Sequence, residues 1–154
     1  NNVPYPEKTN NLQHEVELVI ALGKDANIFG IAVGVDLTRR DLQTEAKHAG
    51  RPWFVGKNFV GSAPISEIIP IDSATDFSEI ELRLGVNGEV RQNSFCSNMI
   101  WSPTEILSKI AEDVPIKSGD LIFTGTPKGV SPINIGDELV ASIEGKVKHS
   151  FFIV

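Results

Sequence analysis

The sequence Gln13-His14-Glu15-Val16-Glu17-Leu18-Val19-Ile20 decides both the fold and the candidate site. As a β-strand with a period of two, it places Leu12, Val16, Leu18 and Ile20 on one face, with His14 among them. Glu15 and Glu17 lie side by side on the other face. Taken alone, this pattern is typical of a half-exposed strand with a polar outer face. Two adjacent carboxylates repel each other unless water, an arginine or a cation lies between them, so the stretch also raises the question of a metal.

The composition is that of one ordinary globular domain. The chain has 154 residues, 41% hydrophobic and 22% charged, which is enough to bury a core. A net charge of −6 and the lack of a basic run argue against nucleic-acid binding. No apolar run approaches the ~18 residues of a membrane span. The single cysteine, Cys96, fits a reducing compartment, which favours the cytoplasm, or the mitochondrion in a eukaryote.

The rest of the chain predicts a strand-dominated α+β fold with about eight short strands and two helices. After an extended approach over 1–13, strands are predicted at 14–22, 29–37, 65–71 (an edge strand), 79–86, 89–92, 121–124, 138–143 and 147–154. Asn87-Gly88 predicts a hairpin turn. The first helix is predicted to begin at a capping box of Thr38 and Asp41 and to run to His48. The second is predicted over residues 103–112, with Ser102 as its N-cap.

Asp36 supplies a possible third acid at the end of the second predicted strand. An aspartate there is most often a helix cap or an arginine partner, and Arg39 and Arg40 are close in sequence. If Asp36 converges with Glu15 and Glu17, however, the three carboxylates form an all-oxygen site, which selects a hard cation such as Mg²⁺, Mn²⁺ or Ca²⁺. Zinc is disfavoured because no histidine or cysteine pair has ligand spacing.

Four polar side chains on segments that follow strands or open a helix suit a carboxylate or oxo-acid ligand. They are Lys57, Arg40, Gln43 and Thr126. Any one of them alone is more often a solvated surface residue. The loop at 125–129 lacks the spacing of a phosphate-binding P-loop, and no Gly-x-Ser-x-Gly nucleophile elbow is present. The three histidines, His14, His48 and His149, have no evident triad context.

Six blocks of the sequence carry a resemblance to a known family. They are His-Glu-Val-Glu-Leu (14–18), Val-Asp-Leu-Thr-Arg-Arg-Asp-Leu-Gln (35–43), Gly-Arg-Pro-Trp (50–53), Val-Asn-Gly-Glu-Val-Arg-Gln (86–92), Met-Ile-Trp (99–101) and Gly-Asp-Leu-Ile-Phe-Thr-Gly-Thr-Pro-Lys-Gly-Val (119–130). They span nearly the whole chain in order. The chain resembles the fumarylacetoacetate hydrolase family, of the C-terminal catalytic-domain type, and in particular its small acylpyruvate and fumarylpyruvate hydrolases.

The resemblance implies a mixed β-sandwich roll that forms a homodimer. It also implies that Glu15, Glu17 and Asp36 hold Mg²⁺ or Mn²⁺, and Ca²⁺ would suit the same oxygen ligands. The implied partner is a small 2-oxo acid, with neither a nucleic acid nor a membrane involved.

The same resemblance implies that Lys57 is catalytic and that Arg40, Gln43 and Thr126 bind the substrate. The implied reaction is hydrolysis of the C–C bond of an acylpyruvate-type, fumarylpyruvate-like 2,4-dioxo acid through a metal-stabilised enolate, in the breakdown of aromatic compounds. Two alternatives use the same metal site: an oxaloacetate-type decarboxylase and a 2-hydroxyhepta-2,4-diene-1,7-dioate isomerase. A non-catalytic oxo-acid-binding protein is the alternative of another class.

We expect residues 1–154 to form a single catalytic domain. In similar proteins a histidine–glutamate pair on a lid segment, upstream of the Pro-Tyr-Pro approach, activates the water. Similar proteins also carry a longer loop between Lys24 and Phe29. We therefore expect that lid segment and a loop near 28–29 to be missing from this sequence, which leaves the general base unassigned.

Overall fold

The computed structural model describes residues 2–154, and Asn1, the first residue of the predicted extended approach, lies outside this range. The described residues form eleven strands: β1 (Asn2–Val3), β2 (Leu12–Gln13), β3 (Val16–Leu22), β4 (Ile28–Val35), β5 (Thr38–Arg39), β6 (Ile69–Pro70), β7 (Glu81–Val86), β8 (Glu89–Phe95), β9 (Leu121–Phe123), β10 (Glu138–Ile143) and β11 (Val147–Ile153). They also form three α-helices: α1 (Arg40–His48), α2 (Phe54–Lys57) and α3 (Pro103–Asp113). None of these described helices has the length and apolar character that a membrane crossing requires. The strand-dominated α+β prediction is confirmed, with three helices rather than two.

Two sheets pack against each other and enclose the core. The five-stranded sheet, in the order β1-β11-β10-β7-β8, is mixed because β1 runs parallel to β11. The four-stranded sheet, in the order β6-β4-β3-β9, is antiparallel, and β2 pairs with β5 separately. Leu18 and Val33 of one sheet meet Leu84, Leu139 and Phe151 of the other, all at most 1% exposed. Each such burial contributes about 1.5–3 kcal/mol, and the predicted mixed β-sandwich is confirmed.

The β3–β4 hairpin is buried on both faces. Every residue of β3 is buried, Glu17 included, and Glu15 just before the strand is only 8% exposed. The expectation of a half-exposed strand with a polar outer face is therefore wrong. The glutamate face is covered because groups on α1, on α2 and in the loop after β9 bond to its two carboxylates.

Helix α1 begins without the predicted capping box. Thr38 lies in β5, and Arg39 occupies the N-cap position with no side-chain cap bond. The Thr38 hydroxyl accepts a hydrogen bond from the Lys57 ammonium group at 2.7 Å, and the Asp41 carboxylate accepts one from the Thr9 hydroxyl at 2.6 Å. The capping-box prediction is wrong because tertiary partners take both side chains.

Other local predictions are confirmed. Ser102 accepts a bond from the Glu105 backbone N–H and the Glu105 carboxylate accepts one from the Ser102 N–H, so α3 has a complete capping box. Asn87 and Gly88 adopt positive φ angles of 52° and 83° in the turn between β7 and β8. The predicted strand at 65–71 is reduced to β6, which does lie at the edge of its sheet.

Candidate metal centre

Three carboxylates meet at one end of the β3–β4 hairpin. Glu15 precedes β3, Glu17 lies within it, and Asp36 follows β4. The pairing of Val16 with Val35 continues outward, so that the Asp36 N–H donates to the Glu15 carbonyl at 2.8 Å. One carboxylate oxygen from each of the three acids lies within 4.8 Å of the others. Strand pairing alone thus brings the three predicted metal ligands together.

Helix α2 brings Lys57 to these acids. This helix was not predicted from the sequence. It ends at Lys57, whose ammonium group donates to Glu15 Oε2 at 2.8 Å, to Asp36 Oδ2 at 2.5 Å and to Thr38 Oγ1 at 2.7 Å. A Cβ on Gly56 would lie 2.8 Å from the Gln43 Cβ, so α2 can approach α1 this closely only with glycine there. All three ammonium hydrogens are used.

Helix α1 contributes Arg40 and Gln43. The Arg40 guanidinium donates to the Glu15 carboxylate, to Gln13 Oε1 at 2.8 Å and to Gln43 Oε1 at 2.5 Å. Gln43 is 8% exposed and reaches the acids only through Arg40. The planar guanidinium therefore joins α1 to the start of β3.

The loop after β9 closes the site beside Glu17. Thr124 is fixed to β3 through its N–H and its hydroxyl, which both donate to the Leu18 carbonyl at 3.1 and 2.9 Å. The next residue, Gly125, donates its N–H to Glu17 Oε2 at 2.7 Å. Thr126 follows, and its hydroxyl accepts a hydrogen bond from Gln92 at 2.8 Å. Thr126 thus borders the acids without touching them.

The three acids lie in different electrostatic surroundings. Burial raises the pKa of Glu17 to about 7, and the charges of Asp36 and Glu15 act in the same direction. Burial also acts on Glu15, but hydrogen bonds and charges from Lys57 and Arg40 outweigh it and hold the pKa of Glu15 below its usual value. Burial raises the pKa of Asp36, and the ion pair with Lys57 offsets this only in part.

The residues present fit a hard divalent cation. The donor set is oxygen only, and three carboxylates when ionised outnumber the two cations, Lys57 and Arg40, that pair with them. The uncompensated negative charge falls on Glu17, which has no cationic hydrogen-bond partner among the described residues. Carboxylate oxygens in this arrangement suit Mg²⁺, Mn²⁺ or Ca²⁺ rather than a soft metal.

Gln92, which was not among the predicted site residues, connects the two sides of this site. It is 1% exposed and bonds to β3 and to the loop carrying Thr126. Counting back from the Asn87-Gly88 turn would pair Leu84 with Arg91, but a β-bulge between Leu84 and Gly85 shifts the register and places Gln92 opposite Leu84, a core position. A glutamine at such a position needs buried hydrogen-bond partners.

Two groups that could be taken for catalysts are structural. His14 is fully buried, with Gln92 and Ser131 each 2.8 Å from one ring nitrogen, and burial lowers its pKa. It lies away from the carboxylates, as expected from the strand pattern. Cys96 is 6% exposed, and burial raises the pKa of its thiol to about 11, so it does not form a thiolate near neutrality.

Sequence comparison relates this chain to known enzymes. A model of the family described as fumarylacetoacetate (FAA) hydrolase, C-terminal, matches residues 1–151. The mitochondrial oxaloacetate tautomerase of Homo sapiens is 39% identical over 156 residues, covering 95% of this chain and 71% of that protein. The fumarylpyruvate hydrolase of a Ralstonia species is 38% identical over 161 residues, covering 98% of this chain and 83% of that protein.

Structural comparison gives a similar result. The crystal structure of fumarylpyruvate hydrolase from Pseudomonas aeruginosa, in complex with Mn²⁺ and pyruvate, superposes with a TM-score of 0.94 at 37% identity. The match covers 99% of this chain and 70% of that chain. The two-sheet architecture described above is therefore shared with the matched part of that enzyme.

Proposed function

Because this chain belongs to the fumarylacetoacetate hydrolase family, we propose that it is a divalent-metal-dependent hydrolase of the C–C bond in an acylpyruvate-type, fumarylpyruvate-like 2,4-dioxo acid. The observation that carries this proposal is the cluster of Glu15, Glu17 and Asp36, whose oxygens lie within 4.8 Å of one another while Lys57 bonds to two of them. Such a buried, oxygen-only site beside a fixed cation suits a small anionic substrate.

Glu15, Glu17 and Asp36 would hold the metal, which we propose to be Mg²⁺ or Mn²⁺. The Mn²⁺ in the Pseudomonas aeruginosa enzyme supports this choice of metal class. When bound, such a cation supplies a Lewis acid that stabilises negative charge on oxygens of the substrate.

The side chains around the acids have separate tasks in this proposal. Lys57, held by three acceptors, keeps a positive charge in a fixed place where the negative charge of an enolate develops. Arg40 and Gln43 lie on one turn of α1 beside Glu15, where they would orient a carboxylate. Thr126 would contribute a hydroxyl from the opposite side.

The bond changes balance without a further reactant. Water adds to the distal carbonyl carbon, and the bond from that carbon to C3 breaks. The electron pair of this bond remains on the pyruvate fragment as its enolate, which takes a proton at C3 to give pyruvate. The distal fragment leaves as a carboxylate, so that of the two protons of the water one is balanced by the proton taken up at C3 and the other is released to solvent. His14 does not take the water proton, because both its ring nitrogens are bonded to other residues inside the fold.

The remainder of the substrate also needs space. A cavity of about 630 Å³ adjoins Gly125 and Thr126 and is lined by Phe95, Met99 and Trp101 among others. This volume is within the range of small-molecule sites, and its apolar lining suits an acyl group beyond the pyruvate moiety.

A second candidate function is interconversion of keto and enol forms of oxaloacetate. It is favoured by the human relative, which is named an oxaloacetate tautomerase and is 39% identical. This reaction passes through the enolate of oxaloacetate, which like the enolate of pyruvate carries its negative charge on the C2 oxygen, so the same acids and Lys57 would serve either reaction.

A substrate panel tests the proposal. The full-length protein is incubated with fumarylpyruvate, acetylpyruvate or oxaloacetate, in Mn²⁺ and in excess EDTA. Pyruvate together with an equimolar carboxylate is expected from an acylpyruvate, in Mn²⁺ only. A change in keto–enol absorbance of oxaloacetate without pyruvate would support the second function instead. Full activity in excess EDTA, or no turnover of any of the three in Mn²⁺, would overturn the metal-dependent proposal.

A further inference from the structure

We propose that Gln92 fixes the direction of the hydrogen bonds at Thr126, so that the Thr126 hydroxyl can only donate its proton to the substrate. Gln92 would thus be a positioning residue that acts through Thr126, and the site would accept only a ligand that presents an acceptor oxygen there. The inference rests on the proposed function, because it concerns how the same site binds an oxo acid.

The side-chain amide of Gln92 is held by groups on both of its ends. Its oxygen lies 3.0 Å from the Val16 backbone N–H and 2.8 Å from His14 Nδ1. Its nitrogen lies 2.8 Å from Thr126 Oγ1 and 2.9 Å from the Pro127 carbonyl oxygen. With the residue 1% exposed, these four contacts account for its full hydrogen-bonding capacity.

Two backbone groups determine which end of the amide is which. The Val16 N–H can only donate, so the amide oxygen must face it; the Pro127 carbonyl can only accept, so the amide nitrogen must face that group. Turning the amide over would place its N–H group against the Val16 N–H and its oxygen against the Pro127 carbonyl, and would leave these buried groups unsatisfied. The orientation is therefore set by the main chain.

The direction of the bond to Thr126 follows. One hydrogen of the Gln92 amide goes to the Pro127 carbonyl and the other to Thr126 Oγ1, so the threonine oxygen is an acceptor in that bond. The Thr126 proton then points elsewhere, and no acceptor for it occurs among residues 2–154. A carboxylate, oxo or enolate oxygen in the site would take it.

The orientation of the Gln92 amide also determines the hydrogen bonds of His14. Since its oxygen accepts, His14 Nδ1 carries the proton and His14 Nε2 accepts from the Ser131 hydroxyl at 2.8 Å. The network thus runs from Ser131 through His14 and Gln92 to Thr126, and Gln92 also accepts from the backbone of Val16, between Glu15 and Glu17. Ser131 lies at its far end, without contact to the acids.

A double-mutant cycle tests the proposal with pyruvate as the probe. Gln92→Met, Thr126→Val and the double variant are compared for pyruvate binding in saturating Mn²⁺ by calorimetry, and for Mn²⁺ affinity alone. Each single variant is expected to weaken pyruvate binding about tenfold, the size of one hydrogen bond to a charged group. In the double variant the pyruvate affinity is expected to fall by the same factor of about ten rather than by about a hundred. The Mn²⁺ affinity is expected to change less than about threefold in each of the three variants.

Three further variants sharpen the result. Gln92→Glu, nearly isosteric, draws the Thr126 proton toward residue 92 and should weaken pyruvate as Thr126→Val does. Thr126→Ser keeps the hydroxyl and should bind as the unmodified protein. Ser131→Ala is the matched control at the far end of the network and should leave pyruvate affinity unchanged.

Losses that multiply in the double variant, or an equal loss of Mn²⁺ affinity in Gln92→Met, would overturn the inference and leave a purely structural glutamine. Failure of the unmodified protein to bind pyruvate and to turn over any substrate of the panel would instead overturn the proposed function.

Discussion

Glu15 and Glu17 are two residues apart on one face of the chain, yet substitution of each should have opposite effects on stability. Glu17 has a pKa of about 7 in the folded protein, above the ~4.5 of an unfolded glutamate, so the folded state binds the extra proton between these values. Metal-free protein therefore loses stability as the pH rises from about 4.5 to about 7. Glu17→Gln should raise the melting temperature at pH 8 in EDTA by several degrees, for a gain of up to about 3 kcal/mol.

Glu15→Gln is the matched comparison and should lower the melting temperature under the same conditions. The pKa of Glu15 is held below its usual value by Lys57 and Arg40 despite burial, so its charge stabilises the fold at pH 8. Removing that charge leaves both cations short of a partner. Thermal unfolding at pH 8 measures the change in melting temperature of each variant. At pH 5 the increase caused by Glu17→Gln should be smaller than at pH 8. Equal shifts of the two variants would contradict the assigned surroundings.

Lys57 should matter to turnover more than to metal binding. Lys57→Met keeps the length of the side chain and removes the charge that we place beside the developing enolate. We expect kcat to fall about a hundredfold or more, in line with the loss of one preorganised electrostatic group. Mn²⁺ affinity measured by calorimetry should change only a few-fold, because all three proposed ligands remain. Equal losses in kcat and in Mn²⁺ affinity would argue that Lys57 only organises the ligands.

At the scale of elements, two helix starts that look alike in sequence have different roles. Ser102 caps α3 in an exposed capping box, so Ser102→Ala should cost about 1 kcal/mol of stability and leave kcat and Mn²⁺ affinity unchanged. Thr38 caps nothing and accepts from Lys57 instead, so Thr38→Val should lower kcat about tenfold, the value of about 1.5 kcal/mol for one bond to a charged group. Denaturant unfolding and steady-state kinetics separate the two. A loss of kcat in Ser102→Ala comparable to that of Thr38→Val would contradict this distinction.

The N-termini of α1 and α3 also show which parts of the fold can be predicted from local sequence patterns. The α3 cap, the Asn87-Gly88 turn and the β3–β4 strands depend on neighbours in sequence, and the sequence predicted each of them. The role of Thr38 depends on Lys57, which is distant in sequence, and α2 is a single turn whose position depends on Gly56 packing on Gln43. Contacts between residues that are distant in sequence leave no periodic pattern from which they could be predicted.

The candidate site was likewise predicted only where it depends on local sequence patterns. The spacing of Glu15 and Glu17 could be read from a strand period, and Asp36 from the end of the next strand. That their face is buried could not be predicted this way, because its cover comes from α1, α2 and the loop after β9. Gln92 was missed for a similar reason: its four partners come from two segments, 14–16 and 126–127, that are both distant from it in the sequence.

At the scale of the whole molecule, four parts of the fold meet at the site: the β3–β4 hairpin, α1, α2 and the loop after β9. Arg40 and Lys57 tie α1 and α2 to the hairpin through Glu15, and Glu17 ties the loop after β9 to the same hairpin. A cation that binds Glu15, Glu17 and Asp36 would offset the repulsion at the point where these parts meet. Occupancy of the site should therefore be visible in global unfolding as well as in activity.

We expect Mg²⁺ or Mn²⁺ to raise the melting temperature of protein stripped with EDTA. A ligand that binds only the folded state adds about 2.7 kcal/mol at a concentration of 100 Kd. For a domain of this size that corresponds to about 5–10 °C. The rise should be smaller at pH 6 than at pH 8, because below about 7 the cation must displace the proton on Glu17. Glu17→Gln, which is itself more stable without metal, should show little further rise when Mn²⁺ is added. Differential scanning calorimetry of both proteins across Mn²⁺ concentrations measures this, and an equal rise in the two would mean that the cation binds elsewhere.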